Sequence, residues 1–134
     1  MSQNPGQIRV FVVDDEQVIA SSLAVILRTR GFDASPFASP QEALHTAFSD
    51  PPDLLISDVV MPILSGIELA IQIKQQCPSC KVLLFSGQAA TVDMLEAARA
   101  DGHSFELLAK PVHPTDLLRK IQKTMNVATQ GTPE

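Results

Sequence analysis

Residues 53–66 read Asp-Leu-Leu-Ile-Ser-Asp-Val-Val-Met-Pro-Ile-Leu-Ser-Gly. Leu54 to Ser57 is a short, mostly apolar run bounded by turn signals, the pattern of a strand buried on both faces, and it ends on Asp58. Met61-Pro62 cannot comfortably extend a strand, and Ser65 with Glu68 three residues on makes a capping box that opens a helix. Asp58 is therefore expected in a loop between two rigid elements, at the carboxyl end of a strand. In an open α/β sheet that edge is where ligands bind. Taken alone, an Asp after a strand is as readily a turn former.

The same grammar repeats on both sides of this stretch. Upstream, Ile8 to Val13 is β-branched and aromatic apart from Arg9 and stops at Asp14-Asp15-Glu16. A helix is expected from Val18 to Arg30, with Val18, Ile19, Leu23, Ile26 and Leu27 as its apolar stripe and Gly31 as the left-handed residue that ends it. Phe32 to Phe37 reads as a weaker strand near a sheet edge, because it contains Pro36. Ser39-Pro40-Gln41-Glu42 is a cap for a second helix running to about Phe48. Downstream, a helix from Gly66 to Gln76 turns Ile67, Leu69, Ala70, Ile71 and Ile73 inward, and Lys81 to Phe85 is a strand ending at Ser86-Gly87. Thr91 to Ala100 is an Ala-rich helix, Phe105 to Ala109 a strand ending at Lys110-Pro111, and Thr115 to Met125 a last helix.

Five strands alternating with five helices specify βαβ units with right-handed crossovers, hence a parallel sheet covered by helices on both faces. At 134 residues and 45% hydrophobic content the chain makes one core-forming domain, expected over residues 8–126, with 1–7 and 127–134 as flexible tails. A net charge of −5 argues against a nucleic-acid binder, and six Phe without Trp or Tyr make a poor stacking platform. No apolar stretch approaches the ~20 residues of a membrane span, and Met1 to Gln7 lacks a signal-peptide pattern, so the expected location is the cytoplasm. Cys77-Pro78-Ser79-Cys80 admits a redox pair or half of a zinc site, but it follows a helix rather than a strand, and His45, His103 and His113 are scattered singly. Two small thiols in a connecting loop is the simpler reading.

Parallel strands all point one way, so the residues just after each strand meet at one edge: Asp14 and Asp15, Asp58, Ser86 and Lys110. Each has an ordinary explanation as a cap, turn hydroxyl or solvated lysine, yet their joint placement at successive strand ends is improbable by chance. Three close carboxylates must raise a pKa or hold a cation, and oxygen ligands alone suit a hard ion such as Mg²⁺. A lysine and a hydroxyl suit phosphoryl oxygens, and a carboxylate can itself accept a phosphoryl group.

On these residues the chain resembles the response-regulator receiver domains of two-component signalling, over about residues 8 to 125. The acidic pair matches Asp14-Asp15, the phosphoacceptor and its DxxMPxxxG continuation match Asp58 to Gly66, the hydroxyl residue matches Ser86 and the Lys-Pro pair matches Lys110-Pro111. The resemblance implies a flavodoxin-like three-layer fold with strand order 2-1-3-4-5 and a cis peptide before Pro111. It also implies a Mg²⁺ site formed by Asp14, Asp15, Asp58 and the Val60 carbonyl. Asp58 would take its phosphoryl group from a phosphohistidine on a sensor kinase or histidine phosphotransfer protein, with Ser86 and Lys110 in the site. A downstream protein partner would read a switched face; no nucleic acid or membrane is implied, and the chain is a phosphoacceptor rather than an enzyme. The family's aromatic switch position, three residues before the Lys, is Leu107 here, and Phe105 on the same strand face is the ring available in its stead.

Other readings stay open on the residues alone. A haloacid-dehalogenase-type phosphatase also uses a strand-end Asp, Mg²⁺ and a Lys, but needs a second acid where this chain has Val60. A flavodoxin-like cofactor binder needs a glycine-rich loop that is missing after the first strand. An unphosphorylated receiver-like scaffold would have no use for the intact acids and lysine.

Overall fold

The computed structural model describes residues 7–87, 91–100, 102, 105–110 and 113–125. The expected tails, His103 and the Lys110-Pro111 peptide lie outside those residues, wholly or, for the first tail and the peptide, in part. Ten elements alternate in the expected order: β1 (Arg9–Val13), α1 (Gln17–Arg28), β2 (Asp33–Phe37), α2 (Pro40–Ser49), β3 (Leu54–Asp58), α3 (Gly66–Gln76), β4 (Lys81–Ser86), α4 (Thr91–Ala100), β5 (Glu106–Ala109) and α5 (Pro114–Met125). The sheet is parallel in the order β2-β1-β3-β4-β5, so β3 is central and Asp58 stands at its carboxyl end.

Alternation along the strands sorts the core into two layers. Leu54 and Ile56 of β3 join Val10, Val12, Leu83 and Phe85 beneath Leu27, Leu117 and Ile121 of α1 and α5. Leu55 and Val59 face the other way, with Phe11, Val13, Val82 and Leu84 beneath Ile67, Leu69, Ala70 and Ile73 of α3. Pro36 is tolerated because β2 is an edge strand, in register with Val12 on its inner side. Phe105 lies just before β5 rather than within it, and with Leu107 packs on the α3 side of the sheet, the shared face that alternation required.

One helix face differs from the expected one. The buried stripe of α1 is Ala20, Leu23, Ala24 and Leu27, whereas Val18 is 76% exposed and Ile19 and Ile26 only flank the core. Val18 falls in the first turn two residues before Ala20, about half a turn round the helix, so it points away from the sheet. The alanines let α1 approach closely. Ile71 of α3 is likewise half-buried.

The two free thiols sit between α3 and β4, Cys80 buried and Cys77 half-buried. The Cys80 N–H donates to the Cys77 carbonyl at 3.0 Å, closing the turn between α3 and β4, and burial pushes the Cys80 thiol up to about 12. At Cys80 a thiolate, the form needed for redox or metal chemistry, is thereby disfavoured.

The loop after Asp58 contains a strained residue. Ile63 has φ +73°, the one positive value at a non-glycine among the described residues, and the Leu64 N–H donates to the Pro62 carbonyl at 2.7 Å across it. A three-residue turn of this hand costs a β-branched residue about 1–3 kcal/mol, and the 82% exposed side chain recovers little by burial. Ile63→Gly should therefore stabilise the fold by about 0.5–1 kcal/mol after the entropy of a freer unfolded chain is subtracted. A chemical-denaturation midpoint at or below that of the wild type would contradict this.

Candidate functional site

The strand ends bring the acids together. Asp14, immediately after β1, is fully buried and Asp58 is 7% exposed, whereas Asp15 is open to solvent; one oxygen from each lies within 4.8 Å of the others. Asp58 is the last residue of β3, one further than the strand expected from sequence, because the Val59 N–H still donates to the Phe85 carbonyl at 3.0 Å. The capping box at the far side of the loop forms in both directions: the Glu68 N–H donates to Ser65 Oγ at 3.1 Å and the Ser65 N–H to Glu68 Oε1 at 3.2 Å. The functional loop is thus anchored at both ends.

Lys110 reaches into this cluster from the end of β5. Its Nζ lies 3.3 Å from Asp58 Oδ2 and 3.5 Å from Asp14 Oδ2, and 5.1 Å from the centroid of the Phe85 ring. The ring gives the ammonium a face to rest on as well as two charges to pair with, a contact that sequence reasoning missed. Ser86 is buried at the end of β4, and its carbonyl accepts the Lys110 N–H at 3.1 Å, which ties the two strand ends together. Val60, 42% exposed, places its backbone N–H where it favours the charged form of the Asp58 carboxylate. All the residues singled out from sequence therefore sit on one edge. Asp14, Asp15, Asp58 and Lys110 form the charged cluster, and Ser86 and Val60 adjoin it.

The electrostatics are those of a site short of positive charge. Burial raises the pKa of Asp58 above its ordinary 3.8, more than Lys110 and the Val60 N–H lower it. Burial raises Asp14 in the same way, against the Glu16 N–H, which donates to Asp14 Oδ1 at 2.9 Å, and against Lys110. For Lys110, burial disfavours the ammonium, but the charges of Asp58 and Asp14 outweigh it and its pKa rises. An additional cation among Asp14, Asp15 and Asp58 would relieve the two buried acids, and an all-oxygen set suits a hard ion.

A pH dependence follows. Acids whose pKa is raised in the folded state bind protons more tightly folded than unfolded, so they favour the fold below their ordinary pKa. That contribution is lost as pH climbs from about 4 through the raised values. Lys110, also raised, favours the fold while protonated and loses that contribution only on the alkaline side of 10.5. Near neutral pH the metal-free protein should thus carry a penalty from Asp14 and Asp58, so Asp14→Asn should raise its melting temperature. Millimolar Mg²⁺ should raise the melting temperature of the wild type, by about 1.4 kcal/mol of stability at ten times the dissociation constant, and that of Asp14→Asn much less. Equal shifts in the two proteins would show that the ion binds elsewhere.

Comparison with known proteins gives a consistent picture. Residues 10–122 match the family described as "Response regulator receiver domain". The chain is 26% identical over 125 residues to the alkaline phosphatase synthesis transcriptional regulatory protein PhoP of Bacillus subtilis, covering 93% of this chain and 51% of that protein. It is 28% identical to the response regulator receiver protein CpdR of Brucella abortus, covering 90% and 98% of the two chains. The chain therefore spans about half the length of relatives such as PhoP and nearly all of CpdR. Among solved structures, a response regulator receiver domain protein from Clostridium thermocellum superposes with a TM-score of 0.78 at 30% identity, covering 89% of this chain and 94% of that one.

Proposed function

The chain belongs to the response regulator receiver domain family, and from that premise we propose that Asp58 is its phosphoacceptor, taking a phosphoryl group from a phosphohistidine on a sensor kinase or histidine phosphotransfer protein. The observation that carries this reading is the Asp58 carboxylate itself. It ends the central strand, 3.3 Å from the Lys110 ammonium, in a cluster of three acids. Asp14, Asp15, Asp58 and the Val60 carbonyl would hold Mg²⁺, which would supply charge neutralisation at the phosphoryl oxygens.

A carboxylate oxygen of Asp58 attacks phosphorus, the P–N bond to the donor imidazole breaks, and the electron pair leaves with the imidazole nitrogen. Lys110 then has a phosphoryl oxygen within reach in place of the bare carboxylate, and the Ser86 hydroxyl is suited to a second. The Val60 N–H adds a favourable influence on the charged carboxylate before transfer. The group is transferred, not turned over in bulk: the protein is an acceptor with slow self-hydrolysis rather than an enzyme. The functional unit is residues 8–126, working in the cytoplasm with a downstream protein partner. Among the described residues no helix is long and apolar enough to cross a membrane.

Incubation with acetyl phosphate and Mg²⁺ tests this directly. Intact mass should rise by one phosphoryl group, and chelation of the ion should prevent the gain. An unchanged mass at saturating ion, or label on a peptide lacking Asp58, would refute the reading.

A further inference from the structure

Among the described residues four polar side chains are buried: Asp14, Asp58, Ser86 and Ser57. The first three belong to the site above. Ser57 does not, because it points into the apolar α3 layer with its strand neighbours Leu55 and Val59. A hydroxyl there is unfavourable unless bonded, and this one donates to the backbone carbonyl of Asp58 at 2.9 Å. The first residue of α3 closes over that bond. A Cβ on Gly66 would stand 2.0 Å from the Asp58 carbonyl oxygen and 2.9 Å from Ser57 Oγ.

The neighbouring backbone groups are tied as well. The Val59 N–H donates to the Phe85 carbonyl at 3.0 Å, and the Val59 carbonyl accepts the Gly66 N–H at 2.8 Å. Every polar group from the Asp58 carbonyl to the Val59 carbonyl is therefore held, and the Ser57 hydroxyl is the one tie made by a side chain. The pinned peptide leads directly into Val60, whose backbone N–H favours the charged Asp58 carboxylate.

We infer that Ser57 is a positioning residue for phosphorylation: by fixing the Asp58–Val59 peptide from beneath, its hydroxyl sets the direction of the Asp58 carboxylate and of the Val60 backbone before ion or donor arrives. This rests on Asp58 being the phosphoacceptor. The benefit of such fixing is that no reorganisation of the nucleophile is needed at the moment of transfer. Loss of the hydroxyl leaves the buried carbonyl one partner short and the peptide held only through the Val59 N–H.

The test is the rate of acetyl phosphate labelling at saturating Mg²⁺ for wild type, Ser57→Ala, Ser57→Thr and Ser57→Cys. A remote core variant, Val82→Ala, serves as a control; Val82 lies near the opposite end of β4. Ser57→Ala should label about fivefold more slowly, the fold-change expected from one lost hydrogen bond, and the hydroxyl of Ser57→Thr should restore the rate to within about twofold. Val82→Ala should lower the melting temperature and leave the rate unchanged. If Ser57→Ala does not fold, Ser57→Cys keeps the volume with a weak donor and should show the same slowing. Wild-type rates in the Ala or Cys variant, no rescue by Thr, or equal slowing in Val82→Ala would each overturn the proposal. Failure of the wild type to label would instead overturn the assignment of Asp58 on which it rests.

Discussion

Asp58→Asn should gain no phosphoryl group from acetyl phosphate under conditions that label the wild type, while folding normally. An amide oxygen is a poor nucleophile, so the loss is of the reaction itself rather than of a fraction of its rate. Neither remaining acid can substitute. Asp14 is fully buried and already accepts from the Glu16 N–H and pairs with Lys110, so it has no approach for a donor. Asp15 is exposed, and its side chain stands outside the Lys110 contacts with Asp14 and Asp58. The fold should tolerate the change because Asn retains an acceptor for the Val60 N–H and Lys110 keeps Asp14 at 3.5 Å. Since burial is the largest influence on the Asp58 carboxyl, the neutral amide should raise the melting temperature of the metal-free protein near neutral pH and shrink the shift caused by Mg²⁺. The two readouts separate cause from damage. Labelling of Asp58→Asn at the wild-type level would refute Asp58 as the acceptor, and loss of labelling with a lowered melting temperature would point to misfolding instead.

What was legible in the sequence was whatever depends on periodicity and strand ends. The buried run from Leu54, the acids after β1 and the lysine after β5 converge because parallel strands share a direction, so element order alone collects Asp14, Asp15, Asp58, Ser86 and Lys110. Boundaries moved by a residue or two where ladder bonds outlast the apolar run, as at Asp58 and Ser86. Val18 stands off the buried face because close helix packing here selects Ala20 and Ala24, although β-branched residues outrank alanine on any hydropathy count. The Phe85 ring under Lys110 and the Ser57 tie were not readable, since each depends on which way a strand residue faces at a loop. An aromatic immediately before the hydroxyl residue at the end of β4 was the available signal for Phe85. Nothing local marks Ile63 as strained: its positive φ is imposed by the anchors on either side, the end of β3 and the capping box of α3.

Gly66→Ala should be the most destabilising single-methyl change in this part of the molecule, and the reason is distance rather than backbone freedom. A Cβ at position 66 would lie 2.0 Å from the Asp58 carbonyl oxygen and 2.9 Å from its carbon, well inside contact distance of main-chain atoms that cannot rotate away. Relief requires α3 to move off β3, breaking the 2.8 Å bond from the Gly66 N–H to the Val59 carbonyl and loosening Ile67 and Ala70 from the core. Alanine's better helix propensity offers at most about 1 kcal/mol in a helix interior and less at the first helical residue. The clash should cost about 3 kcal/mol or more, so the melting temperature should fall by roughly 10 °C. Gly31→Ala is the fitting contrast: its φ of +93° makes the substitution strained, but nothing lies within 4 Å of the new methyl, so it should cost only about 1 kcal/mol. Because the displaced group is the carbonyl of the phosphoacceptor itself, Gly66→Ala should also slow acetyl phosphate labelling at temperatures where the protein remains folded, which Gly31→Ala should not. Equal melting temperatures for the two variants would mean that α3 does not close over Asp58 as described.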